Sequence, residues 1–165
     1  MKGISTVTLL SSMTVDTPIG KLTLLASENA LLKVWLPNSQ RSDMNHHRER
    51  SGILISAISQ LEEYFAGKRK QFCLPLGLHG TPFQREVWNS LIKIPYGTTV
   101  SYGTIARHMG HPKASRAIGQ ANARNPIPII VPCHRVVASR GLGGYAGGLS
   151  TKVVLLELEG VHTLN

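Results

Sequence analysis

The hydrophobic period changes near the middle of the chain, and this change limits the folds that the sequence can adopt. Three short segments near the N-terminus alternate between apolar and polar residues: 6–15, 21–27 and 30–36. Turn-forming residues at 17–20 and 28–29 separate them, so we expect an antiparallel meander. The apolar residues of the second half recur instead at helical spacing. We therefore expect an α/β protein with an N-terminal β-rich domain over residues 1–80 and a C-terminal helical domain over residues 81–165.

One helix and one further strand complete the predicted N-terminal domain. Ser51 is a suitable N-cap for a helix of period 3.6, and Gly67 supplies its stop. Residues 72–78 are predicted to form a short strand in which Cys73, between apolar neighbours, is an inert core thiol. Residues 37–50 are polar and are expected to form a solvent loop.

Helix caps predict four helices in the C-terminal domain. Thr81 and Gln84 form a capping box for the first helix. Ser101 caps the second helix, residues 113–123 form the third, and Ser150 caps the last. The second and third helices, joined by a tight glycine-containing turn, make a helix-turn-helix pattern. The apolar residues expected to face inward from the first and last helices are Phe83, Val87, Trp88, Leu91, Ile92, Val153, Val154, Leu155, Leu156 and Leu158.

Basic residues dominate the second half of the chain. The whole sequence has a formal net charge of +9 and a pI near 10.0. Residues 87–156 contain eight Lys and Arg residues and no carboxylate. A surface with a purely structural role gains nothing from such self-repulsion, so the charge favours a polyanionic partner. Nucleic acid is favoured over a membrane.

Two observations predict a cytoplasmic protein. Residues 1–12 contain only a broken apolar run, and no stretch of the chain approaches the ~20 apolar residues of a membrane span. Cys73 and Cys133 lie 60 positions apart in a chain without an export signal, so we expect both thiols to be reduced. Neither cysteine belongs to a CxxC pair, and we expect no metal.

A cysteine with an adjacent histidine follows an apolar run. Residues 127–131 are predicted to form a buried strand that leads through Pro132 to Cys133 and His134. A neighbouring imidazole can accept the thiol proton, as a nucleophilic cysteine requires. A core cysteine next to an incidental histidine is the alternative.

Two further features follow this cysteine. Residues 141–148 form a glycine-rich loop that can close over a planar ligand, whereas the spacing of a nucleotide-binding P-loop is absent. Glu157 and Glu159 are the acids of the last predicted helix. Either can orient an imidazole, and both can equally be solvated surface carboxylates.

Small side chains surround one arginine in the third predicted helix. Arg116 stands among Ala, Ser and Gly residues, and such a surface suits either tight helix packing or a close approach to DNA. Major-groove reading uses several Asn, Gln or Arg side chains, of which this helix offers few. The pattern therefore favours the minor groove if this helix binds DNA.

Four segments of the second half match a known family: VSYG at 100–103, NPIPIIV at 125–131, PCHRV at 132–136 and GYAGG at 144–148. Together they strongly resemble the O6-alkylguanine-DNA alkyltransferases, the methylated-DNA-protein-cysteine methyltransferases, over about residues 81–160. The N-terminal domain matches loosely, through residues 17–20. The related alkyltransferase-like proteins replace the cysteine and only bind damage, and Cys133 argues against that class.

The resemblance implies a fold and a function. The fold is an RNase H-like N-terminal domain followed by a winged-helix-like domain that carries the helix-turn-helix. The function is direct reversal of damage: O6-alkylguanine, and as an open extension O4-alkylthymine, is flipped out of duplex DNA and its alkyl group passes irreversibly to the protein's cysteine. Each molecule acts once, without a cofactor. We expect a monomer that binds double-stranded DNA through the minor groove, with cooperativity left open and no membrane partner.

By position, the resemblance also implies roles for individual residues. Cys133 accepts the alkyl group, His134 is its base through a water molecule, and Glu159 holds His134. Asn125 braces the turn before the cysteine segment. Tyr102 donates to guanine as the leaving group gains charge.

DNA binding and the base pocket involve further positions in this resemblance. Arg116 fills the stack when the nucleotide is flipped out. Ala146 stands where many members have serine, which removes one hydrogen bond to the base. The residues expected to contact DNA are Tyr102, Ala114, Ser115, Arg116, Arg124 and Arg135, and those expected to line the pocket are Tyr145, Ala146, Gly147 and Gly148.

Two other functional classes fit parts of the pattern. A winged-helix regulator with a redox-sensing thiol would bind DNA without forming a covalent adduct. A papain-like hydrolase is disfavoured, because its acyl chemistry requires turnover and an oxyanion site that the sequence does not reveal.

Overall fold

A computed structural model describes residues 9–37, 39 and 51–162 of the chain. The start of the first predicted strand at residues 6–8 and most of the 37–50 loop lie outside the described residues. The elements in chain order are β1 (Ser11–Thr17), β2 (Gly20–Ala26), β3 (Leu31–Trp35), α1 (Gly52–Phe65), α2 (Pro82–Ile92), β4 (Val100–Ser101), α3 (Tyr102–His108), α4 (Ser115–Ala123), a 3₁₀ turn (Cys133–Arg135), β5 (Val136–Val137) and α5 (Leu149–Leu158). The expected α/β class, with a sheet in the first half and helices in the second, is confirmed.

The N-terminal sheet is the predicted antiparallel meander in the order β1-β2-β3. Five consecutive residues of β2, from Leu22 to Ala26, are buried, since β2 is the central strand, and α1 packs against the sheet. The side-chain hydroxyl of Ser51 accepts a hydrogen bond from Leu54 N and so caps α1 as predicted. Gly67 has φ 71°, a left-handed conformation that ends the helix and favours glycine.

The predicted strand at residues 72–78 is wrong. This segment pairs with β3 through a single bridge between Leu31 and Leu76 and forms no strand within the described residues. Where a neighbouring strand would bond to Cys73, the buried side chain of Gln60 does so instead. Gln60 Nε2 donates to Cys73 O at 2.9 Å, and Cys73 N donates to Gln60 Oε1 at 2.8 Å. Cys73 is also exposed, so its expected burial in the core is wrong.

Residues 127–131 are buried, as expected, but they form a turn and not the predicted strand. Val131 N donates to Ile127 O at 2.9 Å, which closes the chain on itself. Pro126 and Pro128 lack the N–H groups that a strand ladder needs, so this segment cannot pair regularly. Ile129 has φ 74°, a strained value for a β-branched residue.

The helix starts in the C-terminal half depend on local caps. The capping box of Thr81 and Gln84 is confirmed, and Ser101 caps α3 through Thr104 N. The third predicted helix begins two residues later than expected, because Ala114 N closes a turn onto His111 O at 2.8 Å.

Three details of α2 and α5 differ from the predictions. Ser150 does not cap α5, because the chain is already helical at Leu149 and the first helical hydrogen bond is accepted by Gly148 O. Ile92 and Val154 were expected to face inward and are exposed instead. Both lie outside the narrower apolar stripe that each helix presents to the core.

The C-terminal elements bring the cysteine turn next to α3. The two-residue strands β4 and β5 pair in parallel, Val100 with Val136 and Ser101 with Val137. This pairing places the N-terminus of α3 beside the 3₁₀ turn. Trp88 Nε1 donates to Ala121 O at 2.8 Å, which locks α2 against α4. One continuous hydrophobic cluster extends from β2 to α5.

No helix within residues 9–37 and 51–162 is long and apolar enough to cross a membrane.

Gln60→Met is predicted to lower the free energy of unfolding by about 1–3 kcal/mol, because two backbone groups of Cys73 lose their partners. Urea denaturation measures the change. Gln71→Met, at an exposed position, is the matched control and should have little effect. Equal losses in both variants would contradict this account of the segment.

Candidate active site

Cys133 lies at the edge of a small cavity in the C-terminal half. The residue is 3% exposed, and the cavity has a volume of about 220 Å³. The other lining residues are Tyr102, Gly119, Asn122, Ala123, Gly144, Tyr145 and Ala146. Two aromatic rings, small residues and one amide thus surround the cysteine, an arrangement that suits a flat, polar-edged ligand.

Two asparagine side chains hold the backbone before and at the cysteine. Asn125 Nδ2 donates to Val131 O at 2.7 Å, and Ile127 N donates to Asn125 Oδ1 at 3.0 Å. Asn125 therefore binds both sides of the turn before the cysteine segment, which is the turn that the resemblance expects this residue to brace. Asn122 Nδ2 donates to Cys133 O at 3.3 Å, a contact that the sequence analysis did not anticipate.

Glu159, the C-cap of α5, is a buried carboxylate that accepts five hydrogen bonds. Its Oε1 lies 2.7 Å from His134 Nε2, 2.7 Å from Tyr64 Oη and 3.0 Å from Arg135 Nη2. Its Oε2 accepts from Arg135 Nε at 2.8 Å and from Gly97 N at 3.1 Å. Burial acts to raise the pKa of Glu159, but the hydrogen bonds from His134 and Arg135 outweigh it and lower the pKa to about 2.

The ionised carboxylate determines the tautomer of His134. Because a carboxylate only accepts hydrogen bonds, Nε2 carries the proton and Nδ1 carries the lone pair. Burial lowers the pKa of His134, although the hydrogen bond that its ring donates to Glu159 acts in the opposite direction. Nδ1 is buried without a hydrogen-bond partner among the described residues, so the residue that follows Cys133 in the chain keeps an unused proton acceptor. Glu157 is exposed, so Glu159 is the acid that contacts His134.

The thiol itself is held in its protonated form. Burial raises the pKa of Cys133, while a hydrogen bond from Asn125 and the charge of Lys152 act against this rise. The environment alone therefore does not produce a thiolate, and the reactive form requires a base.

Lys152 is a buried lysine that sequence reasoning missed. Its Nζ donates to Val136 O at 2.6 Å, Leu142 O at 2.6 Å and Gly144 O at 3.1 Å. Burial lowers its pKa to about 8. These bonds tie α5 to the glycine-rich loop on one side of the cavity. The only signal in the sequence was a lysine within the apolar run of the last predicted helix.

The predicted pocket loop lies partly at the cavity. Tyr145 and Ala146 line it, whereas Gly147 and Gly148 do not. A Cβ at Gly147 would lie 2.8 Å from Leu36 Cδ1 and 3.0 Å from Tyr145 Cε1, so a side chain there would require these neighbours to shift. Burial raises the pKa of Tyr145 and that of Tyr102 on the opposite wall, and both phenols stay protonated as donors.

One face of α4 leads from the cavity to the surface. Gly119 and Ala123 line the cavity, and Arg116 lies on the same face one turn earlier, with an exposed side chain. Arg124 at the end of this helix is also exposed. Ala114 and Ser115, at the start, are half-buried.

Arg135 was expected to contact DNA, and this prediction is wrong. The residue is 6% exposed, and its guanidinium donates to Glu159 and to Ile94 O at 2.7 Å. A basic residue next to the cysteine motif looked like a phosphate contact in the sequence. Its donors are instead used to compensate a buried carboxylate.

Comparison with known proteins identifies related sequences over nearly the whole chain. The model of the 6-O-methylguanine DNA methyltransferase ribonuclease-like domain matches residues 10–78, and that of the DNA binding domain matches residues 82–161. The methylated-DNA–protein-cysteine methyltransferase of Mycobacterium leprae is 47% identical over 158 residues, covering 92% of this chain and 93% of the relative. The constitutive one of Bacillus subtilis is 45% identical, covering 88% and 93%.

A solved structure is similar over the same extent. The crystal structure of Mycobacterium tuberculosis OGT in complex with DNA superposes with a TM-score of 0.84 at 47% identity. The match covers 90% of this chain and 92% of that one.

Glu159→Gln is predicted to lower the free energy of unfolding at pH 7 by roughly 3 kcal/mol, because Arg135 loses its buried counter-charge. The folded-state pKa of about 2 lies below the ordinary 4.5, so the stability from the ionised group is present above pH 4.5 and is lost as pH falls toward 2. The difference between wild type and variant should therefore shrink over this window in urea titrations. Glu157→Gln is the exposed control; a difference independent of pH would contradict the prediction.

Proposed function

Because the chain belongs to the 6-O-methylguanine DNA methyltransferase family, we propose that it repairs DNA by transferring the alkyl group of O6-alkylguanine to Sγ of Cys133. The observation that carries the proposal is the placement of Cys133 in a cavity lined by Tyr102 and Tyr145, followed in the chain by a neutral His134 whose Nε2 is hydrogen-bonded to the ionised Glu159. The proposed substrate is an alkylated base in double-stranded DNA, and no cofactor takes part.

The reaction follows from the protonation states of these groups. The Cys133 thiol gives its proton, through a water molecule, to Nδ1 of His134, and Glu159 stabilises the imidazolium. Sγ then forms a bond to the alkyl carbon while the bond from that carbon to O6 breaks, and its electron pair passes to the purine. Tyr102 gives the purine a proton and regains one from solvent, and His134 releases its proton to solvent. A thioether has no easy hydrolytic exit, so each molecule acts once.

The burial of Cys133 supports extrusion of the target base. A residue that is 3% exposed cannot reach a carbon inside a base stack, so the nucleotide has to enter the cavity. The exposed Arg116 lies on the face of α4 that leads to the cavity, which suits a side chain that fills the vacated stack. The small residues of this helix suit the minor groove.

The remaining parts of the proposal concern the domains, the DNA contacts, the oligomeric state and the range of substrates. We propose two domains, 1–80 and 81–165, of which the second binds DNA as a helix-turn-helix through α3 and α4. Arg124 supplies a phosphate contact. The chain acts as a cytoplasmic monomer, and O4-alkylthymine is a second substrate to test. The shape of the binding curve against protein concentration tests for cooperativity, and the salt dependence of the affinity tests for phosphate contacts.

Incubation with duplex DNA that contains one O6-methylguanine is predicted to add the mass of one methyl group to Cys133, in a single stoichiometric event. Cys133→Ala should abolish the adduct. Cys73→Ala should react normally, because Cys73 is exposed but lies outside the cavity. Intact-mass and peptide mass spectrometry decide the site. Repeated turnover, an adduct on Cys73, or binding without any adduct would refute the proposal; the last result would favour a redox-sensing regulator.

Arg116→Ala is predicted to slow the repair of duplex DNA by roughly tenfold to a hundredfold at saturating protein, because unstacking costs a few kcal/mol. Reaction with a free alkylated guanine base needs no flipping and should keep its rate. Single-turnover kinetics on both substrates measure the two effects. Arg124→Ala is the control: it should weaken binding in a salt-dependent way and leave the saturated rate unchanged. Equal losses on both substrates would show that Arg116 shapes the pocket instead.

A further inference from the structure

One side chain from the N-terminal half reaches the carboxylate that orients the base. Tyr64 lies near the end of α1 and is fully buried. Its hydroxyl donates to Glu159 Oε1 at 2.7 Å, across 95 positions of sequence. The His134 ring contacts the same oxygen at the same distance. Tyr64 and His134 therefore share one acceptor atom.

The ring of Tyr64 is held independently of its hydroxyl. It packs edge-on against Phe65 at 5.3 Å and Tyr96 at 6.2 Å, and it is tilted against Phe72 at 5.4 Å. Burial and the neighbouring Glu159 raise the pKa of Tyr64 far above the physiological range. The phenol is therefore a permanent donor with a fixed position, and its hydroxyl can be removed while the ring contacts remain.

Sharing an oxygen distributes its negative charge. Each hydrogen bond to Oε1 stabilises the carboxylate and reduces the charge that the oxygen offers to its other partners. When a carboxylate has no other donor and offers its full negative charge to an imidazole, the imidazole takes up a proton more readily. A protonated His134 would already be occupied and could not accept the proton of Cys133.

We propose that Tyr64 is a positioning residue for the alkyl-transfer reaction: by sharing Glu159 Oε1, it limits the charge that reaches His134 and keeps the imidazole in its neutral, proton-accepting state. This inference rests on the proposed function. It gives the N-terminal domain a part in the chemistry, because α1 supplies a hydrogen bond that the C-terminal elements do not.

Other charged and titratable groups lie near the carboxylate and the imidazole, and Tyr145 lies near Tyr64 and Cys133 without a hydrogen bond to Glu159. Arg135 also donates to Glu159, and its charge and that of Lys152 disfavour protonation of His134. Tyr96 lies near Glu159, but its hydroxyl donates to Leu158 O at 3.0 Å. Tyr96 thus provides a matched control: a phenol in the same aromatic cluster that does not bind the carboxylate.

The test compares Tyr64→Phe with Tyr96→Phe in the full chain. The single-turnover rate on duplex DNA with one O6-methylguanine, at saturating protein, is measured from about pH 5 to 9. Tyr64→Phe should move the acid limb of the profile upward by roughly 0.5–1 pH unit, with the rate above this limb unchanged within about twofold. Tyr96→Phe should leave the limb in place. An unmoved limb, or a uniform loss of rate at every pH, would overturn the proposal.

Two further measurements keep the test decisive. NMR titration of the His134 imidazole should show the same upward shift in Tyr64→Phe and none in Tyr96→Phe. Replacement of Tyr64 by 3-fluorotyrosine, a stronger donor that retains the hydroxyl, should shift the pH limb downward, and an upward or absent shift would refute the proposal. If the wild type transfers no alkyl group, the proposed function is wrong, and the His134 titration still decides the role of Tyr64.

Discussion

Burial of one carboxylate is the constraint on which the site depends. A buried charge is costly unless it is paired and fully hydrogen-bonded, and Glu159 meets this condition with five donors from α1, the segment after α2, and the 3₁₀ turn. The hydrogen bonds that Glu159 needs can therefore form only if these elements meet at one point. The same contacts that compensate the charge also fix the ring of His134, the residue that follows Cys133 in the chain. Stability and chemistry share this set of hydrogen bonds, so the site cannot loosen without a loss in folding free energy.

The two sides of the cavity are built differently. On the cysteine side, side-chain amides of Asn122 and Asn125 bind backbone groups of the turn and hold its shape. On the other side, the loop has little side-chain bulk, and Lys152 holds it through three carbonyl oxygens. Burial raises the pKa of the Cys133 thiol and lowers that of His134, which favours the neutral form of both groups. Reactivity is thus limited to ligands that enter the cavity.

The cap predictions that succeeded depend on local chemistry, whereas the two predicted strands that failed did so for different reasons, one distant and one local. Ser51, Thr81 and Ser101 cap helices because a hydroxyl and the backbone a few residues later are close in any helix start. In the segment predicted as a strand at 72–78, the backbone N–H and C=O of Cys73 are bonded to the side chain of Gln60, from α1, and not to a neighbouring strand. The proline-rich run at 127–131 is apolar enough for burial, but its missing N–H groups made a turn the better solution.

The sequence by itself determined the α/β class, the order of most elements and Cys133 as the candidate nucleophile, because periodicity, caps and a short contiguous motif are properties of nearby residues. The pairing of His134 with Glu159 was expected only from the resemblance to the alkyltransferases, since the residues alone left Glu157 and Glu159 open. Tertiary structure alone decided that Arg135 is buried, that Lys152 holds the loop and that Tyr64 reaches Glu159. A side chain's partner across 95 positions depends on how the elements pack, and the need to compensate a buried charge becomes visible only when the fold has buried it.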